Sequence, residues 1–166
     1  MCRAAFLGRF QPFHEGHHRV VSEYKERFGL VIALGSPEKS RTAENPLTAE
    51  EREYVIRGCH PDIDIVRVAD EDRGEAGYPV WAERLVDRTD AEVAVSGNDL
   101  VQRLLKEHTD AEIVEQELHY PDTYSGTEVR RRMRAGESWR DLVPDCCVER
   151  VAEFERVIQE SRVDTE

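Results

Sequence analysis

Lysine is scarce in this chain of 166 residues, because it stands only at positions 25, 39 and 106 and arginine supplies the remaining positive charge. Against these bases stand 35 aspartates and glutamates, which leave a formal net charge of −12. A surface with that balance repels a phosphate backbone, so the composition argues against a nucleic-acid-binding protein. No nucleic-acid partner is expected.

Long apolar runs are also absent. The sequence contains no stretch of about 18 apolar residues, the length that a membrane span requires, and its N-terminus lacks the apolar core of a signal peptide. No membrane partner is therefore expected, and the sequence predicts a cytoplasmic protein.

Cysteine is used sparingly and without a metal-binding spacing. The chain has four cysteines, including the adjacent pair Cys146 and Cys147, and no CxxC pattern. Neither Cys2 nor Cys59 stands at a spacing that indicates pairing with the histidines near the N-terminus. The simplest expected state is reduced thiols, with neither a disulfide framework nor a zinc site.

The excess of carboxylates has two interpretations. Acid-rich, lysine-poor chains are typical of proteins that work in high salt, where screening removes self-repulsion and carboxylates hold a hydrated surface. An ordinary acidic cytoplasmic protein is an equal alternative.

Short apolar segments alternate with longer amphipathic ones, which is the pattern of an α/β fold. The sequence predicts a Rossmann-like open parallel sheet of about five strands with helices on both faces, in a single domain over residues 1–166 with a frayed tail at 161–166. The predicted strands are 3–7, 30–35, 64–68, 92–96 and 112–116. The predicted helices are 17–28, 48–57 with Thr48 as N-cap, 80–88, 100–106, 127–135 and 145–160.

The first motif, residues 8–17, follows the first predicted strand. Backbone N–H groups at the turn through Gly8 and the guanidinium of Arg9 suit phosphate oxygens. His14 and His17 follow at a helix start, and Gly16 between them permits both rings to approach one pocket. Taken alone, two histidines at such a place are more often solvated or satisfied by capping.

The second motif covers residues 124–133. Ser125, followed three residues later by Glu128, has the form of a capping box and predicts a helix start. Free N–H groups, the hydroxyls of Ser125 and Thr127, and Arg130 one turn inside would suit a polyphosphate. The alternative for the run Arg130–Arg132 is a solvated basic face.

Polar clusters also follow the other predicted strands. They are Ser36 after the second strand, Asp70 after the third, and 96–98 after the fourth, including Asn98. Ligands of open parallel sheets bind beyond the carboxyl ends of the strands, so this edge is the predicted binding site.

Together, the two motifs resemble those of the HxGH nucleotidylyltransferase superfamily, with His14–His17 matching its first signature and Ser125–Arg130 its second. Residues 8–14, 45–52, 96–98 and 124–133 look like those of the archaeal nicotinamide-nucleotide adenylyltransferases, and the resemblance spans roughly residues 3–145. It implies transfer of AMP from ATP to nicotinamide mononucleotide, giving NAD and pyrophosphate. It also implies Mg²⁺ bound with ATP and a homo-oligomer, a hexamer in the archaeal group.

The resemblance implies roles for particular residues. The residues that it implies for catalysis are Arg9, His14, His17 and Arg130. ATP binding falls to Gly8, Arg9, Phe10, His14, His17, Ser125, Thr127 and Arg130. Binding of the mononucleotide falls to Ser36, Asp70, Trp81 and Asn98. No side chain is expected to hold a metal by itself, because no carboxylate cluster accompanies the motifs.

Glu44 departs from the pattern, because some relatives carry a basic residue there, so a phosphate contact from this position loses its basis.

A tryptophan at the place of Trp81 is most often part of a core, whereas the matching aromatic residue in relatives stacks on the nicotinamide ring. An indole face suits that flat cation, so the stacking role is the prediction.

Two other functions remain open on the sequence. The first is another adenylyl or cytidylyl transferase of the superfamily, with phosphopantetheine, FMN or a polyol phosphate as acceptor. The second is a non-enzymatic nucleotide-sensing module, which the intact His14, His17 and Arg130 disfavour.

Overall fold

The structure is a computed structural model that describes residues 2–71, 74–96, 99–115 and 124–161. The chain forms two compact units, each described by itself below. The sheet unit comprises Met1–Gly8, Val21–Pro37 and Ile63–Leu118, and the helical unit comprises Arg9–Val20, Glu38–Asp62 and His119–Glu166. The expectation of a single nucleotidylyltransferase domain stays a prediction.

The sheet unit contains a five-stranded sheet in the order β3-β2-β1-β4-β5, and every neighbouring pair is parallel. The α/β prediction and all five predicted strands are confirmed. The strands are β1 (Arg3–Gly8), β2 (Gly29–Gly35), β3 (Asp64–Val68), β4 (Val93–Ser96) and β5 (Glu112–Glu115).

Burial explains why the inner strands are continuous apolar runs. In β2 every residue after Gly29 is buried, and β4 is buried throughout, as expected for strands covered on both faces. The core of this unit gathers Ala33 and Val68 from the sheet with Leu85, Leu104 and Leu105 from two helices.

The strand order reverses between β1 and β4, which makes their carboxyl ends the switch point of the sheet. Chain segments that leave an open parallel sheet at such a point are the usual ligand-binding segments. β1 ends at Gly8, where the first motif begins, and β4 ends at Ser96.

Seven α-helices are described, and five of the six predicted helices are found as single helices. They are α1 (Glu15–Tyr24), α2 (Ala49–Cys59), α3 (Tyr78–Thr89), α4 (Asp99–His108), α5 (Gly126–Ala135), α6 (Val148–Ala152) and α7 (Glu155–Glu160). Short 3₁₀ turns lie at Gly74–Gly77 and Arg140–Leu142. None of these helices combines the length and apolar character that a membrane span needs.

Caps decide where two of the helices begin. Thr48 is the N-cap of α2, as predicted, and it forms a full capping box with Glu51. At α5, Ser125 Oγ accepts the Glu128 N–H at 3.1 Å. The reciprocal half of that predicted box is missing, because the Glu128 carboxylate binds Arg131 and Arg132 instead.

The prediction of one helix over residues 145–160 is wrong, because the structure has two shorter helices there. At the break, the Phe154 N–H donates to Val151 O at 2.9 Å, a bond to the third residue back that tightens the turn. The Phe154 ring meets the edge of Tyr54 with centroids 6.0 Å apart. The predicted frayed tail begins at Ser161, which is buried, and residues 162–166 lie outside the described ranges.

The prediction that the cysteines are all reduced thiols is also wrong. Cys59, at the end of α2, forms a disulfide with Cys146, whose Cα lies 5.0 Å away. Cys2 and Cys147 remain thiols. Cys147 is buried, which raises the pKa of its thiol to about 12. The disulfide joins residues 87 positions apart, so no local spacing could reveal it.

Candidate active site

His14 and His17 form a stacked pair of imidazoles at the start of α1. Their ring centroids lie 3.6 Å apart with an angle of 24° between the planes. His14 Nδ1 accepts the N–H groups of Gly16 at 3.1 Å and His17 at 3.4 Å, so this ring caps the helix. His17 Nδ1 accepts the His14 N–H at 3.2 Å.

These bonds fix the tautomer of both rings. Because Nδ1 is an acceptor in each neutral imidazole, the ring proton lies on Nε2. The capping interpretation of the histidines is therefore correct for Nδ1, and it leaves each ring with an Nε2–H donor. Two such donors side by side suit phosphate oxygens.

Both imidazoles are neutral near pH 7. Burial, with a smaller effect from the Arg130 charge, lowers the pKa of His14 to about 4. Burial first, and then the neighbouring His14, lower the pKa of His17 well below its usual 6.5. A bound polyanion would reverse part of this effect, because negative charge favours the imidazolium form.

Two phenylalanines surround His17. Its ring centroid lies 4.6 Å from that of Phe10, edge to face, and 5.6 Å from that of Phe13, stacked. Phe10 is 1% exposed and has a φ of 55°, a left-handed conformation that is rare for a bulky side chain. This strained turn is the kind that clusters at binding sites.

Gly16 is required by close packing. A Cβ at this position would lie 3.0 Å from His14 Cε1 and 3.2 Å from Tyr124 Cβ. The glycine of the first motif therefore lets the His14 ring and the start of the second motif approach the helix backbone.

Arg130 joins the two motifs. It is 8% exposed, and its Nη1 donates to the backbone carbonyl of Gln11 at 2.7 Å. Its Nη2 donates to Thr127 Oγ1 at 3.4 Å. A Cβ on Gly126 would lie 2.8 Å from Arg130 Nη1, so this glycine makes room for the guanidinium.

The other two arginines of the run behave differently. Arg131 and Arg132 each bind the Glu128 carboxylate at 2.9 Å, and Arg131 also reaches Glu137. These pairs hold the pKa of Glu128 at about 2. The interpretation of a solvated basic face is correct for these two arginines, but not for the buried Arg130.

Gln11 and Arg52 are two supporting residues for which sequence reasoning assigned no role. The Gln11 side chain makes both hydrogen bonds to the backbone of Leu47, at 3.0 and 2.9 Å. Arg52 is fully buried, and its guanidinium donates to the carbonyls of Arg9, Lys39 and Thr48. Because most of their partners are backbone groups of other segments, no local pattern predicts these bonds.

The segment before α2 contributes a buried acceptor. Asn45 is 7% exposed, and its Oδ1 has no hydrogen-bond partner among the described residues. A buried polar atom of that kind costs free energy unless a ligand satisfies it. The neighbouring Glu44 is exposed.

Gly8 and Arg9 are the other two residues predicted to contact ATP. Gly8 is the last residue of β1, where it pairs with Leu34. The Arg9 side chain, directly after it, is exposed. The helical unit brings together Phe10, His14, His17, Ser125, Thr127 and Arg130, and Arg9 belongs to the same unit.

The residues predicted to bind the mononucleotide belong to the sheet unit. Ser36 has a φ of 48°, and its Oγ donates to Asp70 Oδ2 at 2.8 Å, so these two are brought together. Trp81, on α3, is half-buried against the core of this unit. Asn98 lies outside the described residues.

Comparison with known proteins agrees with this architecture. The cytidylyltransferase-like family matches residues 5–132. Among solved structures, the bifunctional NMN adenylyltransferase/ADP ribose pyrophosphatase of Francisella tularensis, complexed with AMP and a manganese ion, has a TM-score of 0.74 at 18% identity. That match covers 97% of this chain and 52% of the other, so the chain spans about half that protein, and the likeness concerns the fold.

Sequence relatives match at greater identity. The nicotinamide-nucleotide adenylyltransferase of Methanosarcina mazei is 36% identical, and the match covers 99% of this chain and 96% of the relative. The enzyme of the same name from Halobacterium salinarum is also 36% identical, over 95% of this chain and 89% of the relative. The chain therefore belongs to the cytidylyltransferase-like family, among the archaeal nicotinamide-nucleotide adenylyltransferases.

Proposed function

We propose that this protein transfers AMP from ATP to nicotinamide mononucleotide, forming NAD and releasing pyrophosphate. The observation that carries the proposal is the stacked pair His14 and His17, each with an Nε2–H donor, with Arg130 close enough to lower the pKa of His14. Three donors of this kind suit a phosphorus centre that gains negative charge.

The reaction needs no covalent enzyme intermediate. The 5′-phosphate oxygen of the mononucleotide attacks the α-phosphorus of ATP in line, the new P–O bond forms, and the bond to the bridging oxygen of pyrophosphate breaks. Two anions must approach each other, so positioning and charge stabilisation supply the catalysis.

The chain's own residues divide this work. We assign the α-phosphate and the leaving oxygen to the Nε2–H groups of His14 and His17. We assign the β- and γ-phosphates to Arg130, Thr127, Ser125 and the free N–H groups at the start of α5. We assign the remaining ATP contacts to the exposed Arg9 guanidinium and to the turn at Gly8 and Phe10.

The acceptor side rests on the sheet unit. Trp81 presents an indole that is half-buried, and we assign it to the face of the nicotinamide ring. The Ser36 hydroxyl and the Asp70 carboxylate, already hydrogen-bonded to each other, are assigned to the ribose hydroxyls. Asn98 is assigned to the same ligand by resemblance.

The donor set at this site fits a magnesium ion carried by ATP rather than one held by the protein. Among the described residues, three or more metal-ligating side chains converge only at His18, Cys59 and Cys146. The ATP site offers imidazole, guanidinium and hydroxyl groups, so phosphate oxygens and water would hold Mg²⁺. When bound, the ion supplies neutralisation of the triphosphate charge.

The test is an incubation of the full chain with Mg²⁺ and ATP plus one acceptor at a time. The acceptors are nicotinamide mononucleotide, phosphopantetheine, FMN and a polyol phosphate, with CTP in place of ATP as a further arm. Chromatography should show NAD and pyrophosphate in equal amounts with the first acceptor. Turnover with another acceptor only, or nucleotide binding without any turnover, would contradict the proposal.

A further inference from the structure

Three cysteines and two histidines lie together in the helical unit, among residues that adenylyl transfer does not use. Cys59 and Cys146 form the disulfide, and Cys147 Sγ lies 2.7 Å from Cys59 Sγ. His18 Nδ1 lies 3.0 Å from His60 Nε2. The cluster joins the first half of α1, the end of α2 and the segment before α6.

Three of these side chains have the arrangement of metal ligands. One ring nitrogen of His18 and the Sγ atoms of Cys59 and Cys146 all lie within 4.8 Å of one another. Zinc takes thiolate at about 2.3 Å and imidazole at about 2.0 to 2.1 Å, so its tetrahedral ligand atoms lie about 3.5 to 3.8 Å apart. Small side-chain rotations would bring the three donors to those distances.

The hydrogen bond between the two histidines supports the same role. For His18 to bind a cation through Nε2, its Nδ1 must carry the proton and donate it to an acceptor. His60 Nε2, 3.0 Å away, is placed to be that acceptor, and His60 is 4% exposed, which holds its ring in place. Metal-binding histidines are usually oriented in this way by a second group.

We propose that, when the Cys59–Cys146 disulfide is reduced, His18, Cys59 and Cys146 bind one thiophilic divalent cation of the zinc type, with water as the fourth ligand. Reduction by an external dithiol transfers two electrons and two protons to the two sulfurs, and the dithiol becomes a disulfide. Binding of the cation then releases the two thiol protons to water. Cys146 is exposed, so both reductant and cation have access.

The bound cation would take the place of the disulfide as a cross-link between chain segments. The disulfide joins two chain segments, whereas the three ligands join α1, α2 and the segment before α6. The reduced protein should therefore gain thermal stability when zinc is added, since the folded form alone holds the three ligands together.

The experiment uses the full chain, reduced with a dithiol and desalted under anaerobic conditions. Cobalt(II) is titrated first, because tetrahedral thiolate coordination gives it a characteristic visible spectrum and a thiolate charge-transfer band. Zinc(II) is then added to displace it, and bound metal is counted. The expected result is one cation per reduced chain and none per oxidised chain.

Single variants identify the ligands. Cys59→Ser and Cys146→Ser should lose the cobalt spectrum, and His18→Asn should lower the affinity at least tenfold. His60→Asn, which removes the orienting group, should lower it by about 10- to 100-fold. Cys2→Ser is the matched control, because Cys2 is an exposed thiol of the sheet unit and lies outside the three-donor group.

Several outcomes would overturn the proposal. They are the absence of a tetrahedral cobalt spectrum in the reduced wild-type chain, equal binding by the oxidised chain, and loss of binding in Cys2→Ser. The wild-type titration decides the question even if a variant does not fold. Its result is independent of the adenylyl transfer assay, since none of these ligands is assigned to ATP or its acceptor.

Discussion

The imidazole rings of His14 and His17 stack 3.6 Å apart, centroid to centroid, and each ring accepts a backbone N–H at Nδ1. Two positive charges this close would repel each other, and burial lowers the pKa of both rings. The unliganded site therefore holds two neutral N–H donors, and its positive charge comes from Arg130.

Replacing His17 tests the catalytic assignment. If His17 stabilises the charge that develops on the leaving oxygen, His17→Ala should lower kcat by about 100-fold or more and leave the fold intact. His14→Ala and Arg130→Ala should have similar effects that do not add, because all three act on one charge distribution. Steady-state kinetics and circular dichroism provide the measurements.

His108→Ala is the control for His17→Ala, because His108 lies at the end of α4 in the sheet unit, outside the proposed ATP contacts. It should keep the wild-type kcat. A His17→Ala enzyme with wild-type kcat would show that this histidine only packs in the helix.

Replacing Gly126 tests whether catalysis needs the contact of Arg130 with Gln11, which links the two motifs. In Gly126→Ala the new Cβ would lie 2.8 Å from Arg130 Nη1 and 3.2 Å from Gln11 O, so the guanidinium must shift. Since small displacements of a positioned group reduce catalysis strongly, kcat should fall about tenfold or more. Gly29→Ala is the matched control, because its Cβ would find no atom nearer than 3.7 Å. Equal kcat in the two variants would contradict the proposed link.

Local patterns predicted much of this structure. Apolar runs marked the five strands, and Thr48 with Glu51 marked the start of α2, because both signals depend on neighbouring residues. The motifs likewise predicted the pairing of His14, His17 and Arg130. The second motif singles out Arg130, and burial separates it from the two arginines after it, which pair with Glu128.

The features that the sequence could not predict depend on contacts between residues far apart in the chain. The disulfide joins Cys59 to Cys146 through the folded chain, and Gln11 reaches the backbone of Leu47, 36 residues away. Arg52 is fully buried among backbone carbonyls, although arginine is usually exposed. Such contacts depend on which segments the topology brings together, and backbone partners leave no mark in the sequence.

Replacing Trp81 tests the acceptor site. If its indole stacks on nicotinamide, Trp81→Ala should raise KM for the mononucleotide by about tenfold, the equivalent of about 1.4 kcal/mol, with a much smaller effect on KM for ATP. For Trp81→Phe, which keeps an aromatic face, KM for the mononucleotide should lie between the values of wild type and Trp81→Ala. Trp81 also packs against the core of the sheet unit, so a large fall in Tm with an unchanged KM would assign it to the core instead.

The pKa of His14 predicts a particular dependence of stability on pH. In the unfolded chain this histidine gains its proton near pH 6.5, whereas in the folded chain it does so at about 4. Between these values the unfolded state binds more protons, so the free energy of unfolding falls as pH falls, by up to about 3 kcal/mol. Urea unfolding at several pH values should show a shallower dependence in His14→Asn than in wild type. If the free energy of unfolding had the same pH dependence in both proteins, the lowered pKa of His14 would be contradicted.

The acidic composition predicts that stability depends on salt. At low ionic strength the net charge of −12 repels itself, because the Debye length reaches about 30 Å at 0.01 M, whereas at about 1 M it shrinks to about 3 Å. Tm should therefore climb steeply with potassium chloride, and activity should persist at molar salt, because contacts inside the site are screened less than those on the surface. Sucrose, which favours burial without screening charge, is the control and should raise Tm less. A flat Tm, with activity lost above about 0.5 M salt, would indicate an ordinary acidic protein rather than one adapted to high salt.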